Sequence, residues 1–275
     1  MRIWTIIFVA LVLAACRSAG GEETQTISVD FPEDGRVNIA LEMTAGNLSL
    51  QPASQGGLTG TINTNVRDWR PSVETAGDTI RIRQGRASVS VIPDARNTWS
   101  LSVGPLERLN LSIEAGAAEV TAQLGGLPLN ELSLQGTTRP TTLNFDQPAD
   151  YQGGRGTITL TTGAFTANSL FNTTLRELNV TTTGGRIELN FDGGPRTTPL
   201  LVRLETRSGI TLIGIPANVN ARVTYNTSSG NVRQVDPQYE QINRTTWVTG
   251  DPDADPVLII ELRSVVGDLR LAQIQ

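Results

Sequence analysis

Histidine and lysine are absent from this sequence of 275 residues, and cysteine occurs only once. All 22 basic side chains are therefore arginines. Without histidine the chain has no side chain that titrates near neutral pH unperturbed, no Ser-His-Asp triad and no histidine metal site. Without lysine it can form no Schiff base and lacks the lysine of a phosphate-binding loop. Any catalysis would depend on hydroxyl groups and carboxylates, and we expect no cofactor.

Positive charge is also scarce, because 27 acidic residues outnumber the 22 arginines and leave a formal net charge of −5. The arginines are dispersed and form no basic run. Binding to nucleic acid needs clustered positive charge, and so does electrostatic attraction to anionic lipid. We therefore expect no nucleic-acid partner.

The N-terminus predicts export and lipidation. A short positive start is followed by an apolar run over residues 3–13, which is too short to span a bilayer and is typical of a secretory signal. The run ends in Leu13-Ala14-Ala15-Cys16, which resembles the bacterial lipobox. We predict a signal peptide over residues 1–15, cleavage between Ala15 and Cys16, and a lipid on Cys16. The alternative is an ordinary signal peptide with an incidental cysteine.

A polar segment follows the predicted lipidation site. Residues 16–26 contain two glycines and no apolar run, so we predict the lipidated cysteine and a flexible tether there. The absence of a second cysteine favours lipidation over a structural disulfide. The expected location is the outer face of the cytoplasmic membrane of a bacterium, with the chain held by its N-terminal lipid.

From Ile27 onward the sequence predicts an all-β fold. Apolar and polar residues alternate over short segments rich in Val, Ile, Leu and Thr, and Gly, Pro, Asn and Asp separate them. This alternation indicates half-buried strands. Clear examples are residues 39–43, 80–82, 109–113 and 202–204.

A glycine-centred repeat runs through the same region. From Gly116 the repeated glycines are separated by 20, 27, 21, 25, 21 and 37 residues, a period typical of stacked β units. Apolar residues on the two sides of the glycine are mostly an odd number apart, as Met43 and Leu48 are. An odd step changes the face of a straight strand, so the glycine marks a corner or a turn. This predicts a right-handed β-solenoid-like stack with glycine corners, or alternatively an antiparallel hairpin sandwich.

The repeats continue almost to the C-terminus and predict a single elongated domain over residues 27–275. Its C-terminal repeats occupy residues 217–275. The longest glycine interval contains residues 236–256, which we interpret as an inserted loop.

Seven segments follow one another within residues of about 37–216, in this order: NIALEMTAGNLSLQP, PSVETAGDTIRIRQ, NTWSLSVG, LNLSIEAGAAEVTAQLGGLPLNELSLQG, TITLTTGAF, LNVTTTGGRIELNFDG and GITLIGIP. Together they resemble the toast-rack domain of bacterial envelope proteins. The resemblance implies an exported, solenoid-like β-fold related to LiaF-type sensor ectodomains and candidate adhesins, without known catalysis. This chain has the predicted lipobox where those sensors have membrane helices, so we expect that it does not itself signal across the membrane.

Few residues of the sequence are candidates for a metal, catalytic or ligand-binding site. Asp251, Asp253 and Asp255 alternate as calcium ligands do, but the glycine and the bidentate acid of a helix-flanked calcium loop are missing, which favours a solvated acidic loop. Glu188 and Glu205 occupy comparable strand positions, and stacking could pair them as a glycosidase does. Three tryptophans could form a sugar platform, although we expect them to pack in the core. They are Trp69, Trp99 and Trp247.

These observations predict a non-catalytic binding or interaction protein of the cell envelope, and an adhesin is one protein of this kind. Its partners would be an envelope glycan, a membrane protein or a second copy of the chain. One alternative is an accessory of an envelope-stress sensor that responds to cell-wall antibiotics. The other is a carbohydrate-active enzyme built on a β-helix.

Overall fold

The computed structural model describes residues 21–86, 92–136, 139–149, 153–251 and 253–274. The predicted signal peptide, its cleavage site and the lipidated Cys16 lie outside the described residues. Within the described part, no helix is both long enough and apolar enough to cross a bilayer.

The all-β class is confirmed. The described residues form many strands, and their helical content consists of two short 3₁₀ turns, Arg67–Trp69 and Leu170–Asn172. The strands are β1 Glu23–Val29, β2 Arg36–Pro52, β3 Leu58–Thr64, β4 Ser72–Ala76, β5 Thr79–Arg83, β6 Asn97–Val103, β7 Arg108–Gln123, β8 Leu129–Gly136, β9 Thr141–Asn144, β10 Gly154–Leu160, β11 Ala164–Asn168, β12 Leu175–Thr182, β13 Arg186–Asn190, β14 Leu200–Pro216, β15 Ala221–Thr227, β16 Asn231–Val235, β17 Glu240–Asn243, β18 Thr246–Thr249 and β19 Leu258–Ile274.

The body of the molecule consists of two parallel ladders that share four long strands, β2, β7, β14 and β19. The first halves of the long strands belong to the first ladder, which runs β5-β2-β7-β8-β10-β12-β14-β19-β15. Their second halves belong to the second ladder, which runs β6-β2-β7-β9-β11-β13-β14-β19-β16.

Antiparallel pairs lie only at the two ends of this body in the part of the chain that the structure describes. At one end β4 pairs with β5, and β3 lies between β6 and β1; at the other end β18 pairs with β15 and β17. The hairpin-sandwich alternative is therefore wrong for the body, and the antiparallel pairing that it predicted is found only at the two ends.

The strands do not follow chain order throughout. From β7 to β14 each repeat lies beside the next, as a simple stack requires. Near the C-terminus, however, β19 lies between β14 and β15, because the chain passes outward through β15 to β18 before it returns. The predicted regular stack is thus correct in the middle of the molecule and altered at its ends.

The buried face changes within the long strands. In β2 the side chains of Leu41 and Met43 are buried, and the next buried apolar residue is Leu48, five positions later. Gly46 lies between them with a φ of +129°. A Cβ at this position would overlap the carbonyl oxygen of Asn97, so glycine permits both the backbone angle and the close approach of the next strand.

Two predicted boundaries need correction. β1 begins at Glu23, so the last four residues of the predicted tether 16–26 pair with β3 instead. The predicted loop 236–256 contains the β17–β18 hairpin, which covers the free edge of β15. Tyr239 and Trp247 of this segment are buried, so it contributes to the core.

Candidate functional site

The described residues form an open groove of about 840 Å³ beside the glycine corner of the first ladder. It extends over β2, β7, β8 and β10, and the segment that follows β5 closes one end. Most of its lining side chains carry polar groups, namely carboxylates, guanidinium groups, carboxamides and hydroxyls, and the described lining contains no aromatic ring.

Five of the lining side chains form one row across neighbouring strands. Register pairs Arg83 with Glu42, Glu42 with Glu114, Glu114 with Gln135, and Gln135 with Thr159. Because neighbouring strands lie about 4.8 Å apart, the row is about 19 Å long. We call these five residues the groove row.

Strand alternation places the groove row on the outer face. Glu42 lies between the buried residues Leu41 and Met43, and Glu114 lies between Ile113 and Ala115, which are also buried. Successive side chains of a strand point to opposite faces, so both carboxylates point away from the core. The apolar pattern of the sequence therefore determines the position of the groove row.

The carboxylates of the groove row differ in their partners. The Glu42 carboxylate forms ion pairs with Arg81 Nε at 3.1 Å and with Arg83 Nε at 2.5 Å. The hydrogen bond to Glu42 raises the pKa of Arg83. Glu114 is exposed and has no ion pair with a described residue. The groove thus presents one neutralised and one free carboxylate.

Gln84 forms the buried wall at the end of the groove. Its Oε1 accepts hydrogen bonds from the backbone N–H groups of Thr44 at 2.8 Å and Ala45 at 3.2 Å. These two bonds fix the orientation of the carboxamide, so Nε2 is the free donor. Nε2 is buried and has no acceptor among the described residues. A buried donor without an acceptor is costly, and it marks this wall as unusual.

The acidic candidates from the sequence do not come together. Glu188 lies in β13 of the second ladder, where Arg186 donates to it at 2.9 Å. Glu205 lies in β14 of the first ladder, opposite Thr181 and Arg263. The hypothesis that stacking pairs these two carboxylates is therefore wrong.

The alternating aspartates form a turn. The backbone N–H of Asp253 donates to Asp251 Oδ1 at 3.0 Å, and the N–H of Asp251 donates to Asn220 Oδ1 at 2.9 Å. No group of three or more metal-ligating side chains occurs among the described residues. The structure therefore does not assemble Asp251, Asp253 and Asp255 into a calcium site.

The three tryptophans pack in the interior, as expected. Trp69, Trp99 and Trp247 are all buried, so they cannot form a sugar platform. The indole N–H of Trp99 donates to Asn97 Oδ1 at 3.0 Å. The alternative of an aromatic binding surface is wrong for these residues.

Two features were not found from the sequence. The first is a pair of ladders in which asparagine side-chain amides of neighbouring strands hydrogen-bond to one another, with N···O distances of 2.7 to 2.9 Å. The second is a buried arginine, Arg196, which donates to backbone carbonyls. Asparagines that recur at the same place in each repeat are the signal that predicts the ladders. The ladders are Asn38–Asn110–Asn130 and Asn144–Asn168–Asn190.

Comparison with known families gives one match. The family model described as the N-terminal domain of toast_rack, DUF2154, matches residues 18–161, which is just over half of the chain. This match includes the strands that carry the groove row.

Solved structures give further matches, and no curated protein matches the chain significantly. A candidate cell adhesion protein from Clostridium sporogenes is 15% identical, with a TM-score of 0.50 over 92% of this chain and 100% of that chain. A candidate adhesin from Bacteroides fragilis is 13% identical, with a TM-score of 0.38 over 91% and 97% of the two chains. A candidate lipid binding protein from Parabacteroides distasonis is 11% identical, with a TM-score of 0.39 over 94% and 98%. At these identities the first match indicates a shared fold.

Proposed function

Because this chain belongs to the toast-rack family, we propose that it is a lipid-anchored, non-catalytic binding protein of the bacterial cell envelope. The observation that carries the binding role is the groove row, a polar surface of about 19 Å that ends at a buried amide donor without an acceptor. Such a surface recognises a partner through hydrogen bonds, and its expected partners are an envelope glycan, a membrane protein or a second copy of the chain.

The anchoring half of the proposal rests on the lipobox Leu13-Ala14-Ala15-Cys16. Metabolic labelling with a fatty-acid analogue tests it directly in the producing bacterium. The full chain should incorporate the label, the Cys16→Ser variant should not, and the matched Ser18→Ala variant should behave like the unaltered chain. An unlabelled wild-type chain would overturn the anchor.

The non-catalytic half rests on the partners of the groove carboxylates. Glu42 and Glu114 are neighbours across β2 and β7, and a glycosidase also uses two neighbouring carboxylates. However, Glu42 is held by two guanidinium groups, Arg81 and Arg83, so its carboxylate is already occupied. Incubation of the chain with wall polysaccharide should therefore release no shorter products. Detectable turnover would favour the enzyme alternative.

The proposal includes a right-handed coil for the repeats between β7 and β14. Connections between parallel strands of one sheet are right-handed in nearly all proteins, and every repeat in this region joins parallel strands. Such a coil leaves the outer faces of the two ladders available to a partner in the envelope.

Binding to the envelope is tested with the purified full chain and two preparations from the producing bacterium, isolated cell wall and detergent-solubilised membrane. We expect saturable binding to at least one of them. Retention on neither, together with a monomeric chain in solution, would overturn the binding role. For the stress-accessory alternative, deletion of the gene should change the response to wall-active antibiotics, and an unchanged response removes it.

A further inference from the structure

We propose that the groove row binds an extended, uncharged glycan of about four sugar residues, which lies across the strands. This inference rests on the proposed binding function and names the ligand class of its site. The groove row supplies flat groups that can each engage two neighbouring hydroxyls, namely the Glu114 carboxylate, the Gln135 carboxamide and the Arg83 guanidinium. Pyranose rings present hydroxyls in this paired arrangement.

The free polar groups of the groove fit a ligand that both donates and accepts hydrogen bonds. Glu114 has no ion pair in the described part and accepts hydrogen bonds from hydroxyls. The Gln135 carboxamide is exposed and carries both a donor and an acceptor, so it can also serve an acetamido or hydroxyl oxygen. A sugar carries both kinds of group on every ring.

Charge argues against the polyanions of the envelope. The groove lining contains the guanidinium groups of Arg70, Arg83 and Arg86 and the carboxylates of Glu42 and Glu114. Arg70 pairs with Glu23 and Arg83 pairs with Glu42, so one guanidinium group and one carboxylate remain and the groove carries little net charge. Such a groove offers a polyanion no excess of positive charge, whereas an uncharged polymer needs none.

Strand geometry argues against an extended peptide. A peptide that adds to a sheet needs a free strand edge for its backbone hydrogen bonds. Here the groove crosses β2, β7, β8 and β10, and each of these strands is paired on both sides. Only side chains are available to the ligand, so a peptide would lose the main source of its affinity.

The length of the groove row sets the length of the ligand. Its residues repeat at the strand spacing of about 4.8 Å, which is close to the advance of one sugar in an extended glycan, so about 19 Å accommodates about four rings. Affinity should therefore increase from the dimer to the tetramer and change little beyond it.

The experiment titrates the purified full chain with N-acetylglucosamine oligomers of two, four and six residues by calorimetry. We expect the length dependence stated above. The Glu114→Ala variant should bind the tetramer about tenfold more weakly, because a charged hydrogen bond is lost. The matched control is Glu119→Ala, since Glu119 is an exposed glutamate of the same strand beyond the glycine corner, in the second ladder. It should bind like the unaltered chain.

Unfolding midpoints of both variants should equal that of the unaltered chain, which separates loss of binding from loss of fold. Equal effects of Glu114→Ala and Glu119→Ala would overturn the groove assignment. Binding of a Gly-Ser peptide of equal length, with no binding of the oligomers, would overturn the ligand class. If the chain binds isolated cell wall or membrane but no oligomer, the glycan inference fails and the proposed function stands. If the chain binds neither preparation and is monomeric in solution, the proposed function itself fails.

Discussion

Arg196 is a cation that is 8% exposed and has no ion pair in the part of the chain that the structure describes. Its guanidinium donates to the carbonyl oxygens of Thr173 at 2.7 Å and Leu175 at 2.8 Å, with longer contacts to Phe171 and Thr198. Burial lowers its pKa, and the nearby Arg176 adds to this effect. One side chain thus satisfies carbonyl groups where the chain enters β12.

The first prediction concerns this buried arginine. Arg196→Leu should lower the free energy of unfolding by about 3 kcal/mol, because several buried carbonyls lose their donor. The control, Arg155→Leu, removes an exposed ion pair and should cost about 0.5 kcal/mol or less. Urea denaturation of both variants measures the difference. Equal midpoints would show that water replaces the guanidinium without penalty.

The second prediction concerns the pH dependence of Asp268. Its pKa lies below the usual value, chiefly because Arg233 Nε donates to Oδ2 at 2.9 Å. A lowered pKa in the folded state favours folding above the pKa of the unfolded chain, and this contribution is lost as the pH falls through the folded value. Arg233→Gln should raise the pKa toward the ordinary value of about 3.9.

Carboxyl NMR titration measures that shift. Arg203→Gln is the control, because Arg203 pairs with Glu177 and Glu261 and not with Asp268. High salt should reduce the shift in the unaltered chain, since the pair is exposed. An Asp268 that titrates identically in both variants would contradict the assignment of the shift to Arg233.

Sequence patterns predicted the burial of apolar side chains better than the burial of isolated polar side chains. Leu41, Met43 and Leu48 follow the alternation and the odd step, and all three are buried. Arg196 lies in the polar segment Gly-Gly-Pro-Arg-Thr-Thr-Pro, which is typical of an exposed turn. Its burial depends on carbonyls that are more than twenty residues earlier in the chain, and local periodicity contains no information about them.

At the scale of elements, the glycines of successive repeats stack directly on one another. A Cβ on Gly185 would overlap the carbonyl oxygen of Gly163, and a Cβ on Gly209 would overlap that of Gly185. The N–H of Arg186 donates to Gly163 O at 3.0 Å, and that of Ile210 donates to Gly185 O at 3.0 Å. This column of stacked glycines, Gly163, Gly185 and Gly209, keeps neighbouring corners close enough for backbone hydrogen bonding between strands to continue through them.

The third prediction tests this column. Gly185→Ala should destabilise the fold by about 3 kcal/mol or more, because the φ of +111° is unfavourable and the Cβ meets backbone. Gly77→Ala is the matched control, since Gly77 has a φ of +61° with open space around it and should cost about 1 kcal/mol. Thermal unfolding compares the two. A Gly185→Ala variant no less stable than Gly77→Ala would show that the corner relaxes freely.

The repeat predicted the elements but not their neighbours. Glycine spacing and the odd step indicated stacked units with a change of face, and the order from β7 to β14 follows the chain. The position of β19 between β14 and β15 depends on pairing between strands that are far apart in the sequence, which the repeat pattern does not encode. The groove row likewise depends on the register between distant strands. The alternation of apolar and polar residues indicates which side chains point outward, but it does not show which of them lie side by side.

At the scale of the whole molecule, one continuous cluster of buried apolar side chains extends from Ile27 to Leu271. It passes through the C-terminal repeats without a break, because β19 pairs with β14 along almost its whole length. A boundary near residue 216, where the resemblance to the toast-rack domain ends, would therefore cut through the core.

The fourth prediction follows from this continuity. A chain that ends at residue 216 exposes the edge of β14 and the apolar side chains that β19 covers, such as Val202 and Leu204. Unpaired parallel edges favour association between chains, so this truncated chain should form aggregates or unfold well below the full chain. Light scattering and thermal unfolding measure both outcomes. A monomeric truncated chain with an unchanged midpoint would mean that residues 217–275 form a separate unit, and the single domain predicted over residues 27–275 would be wrong.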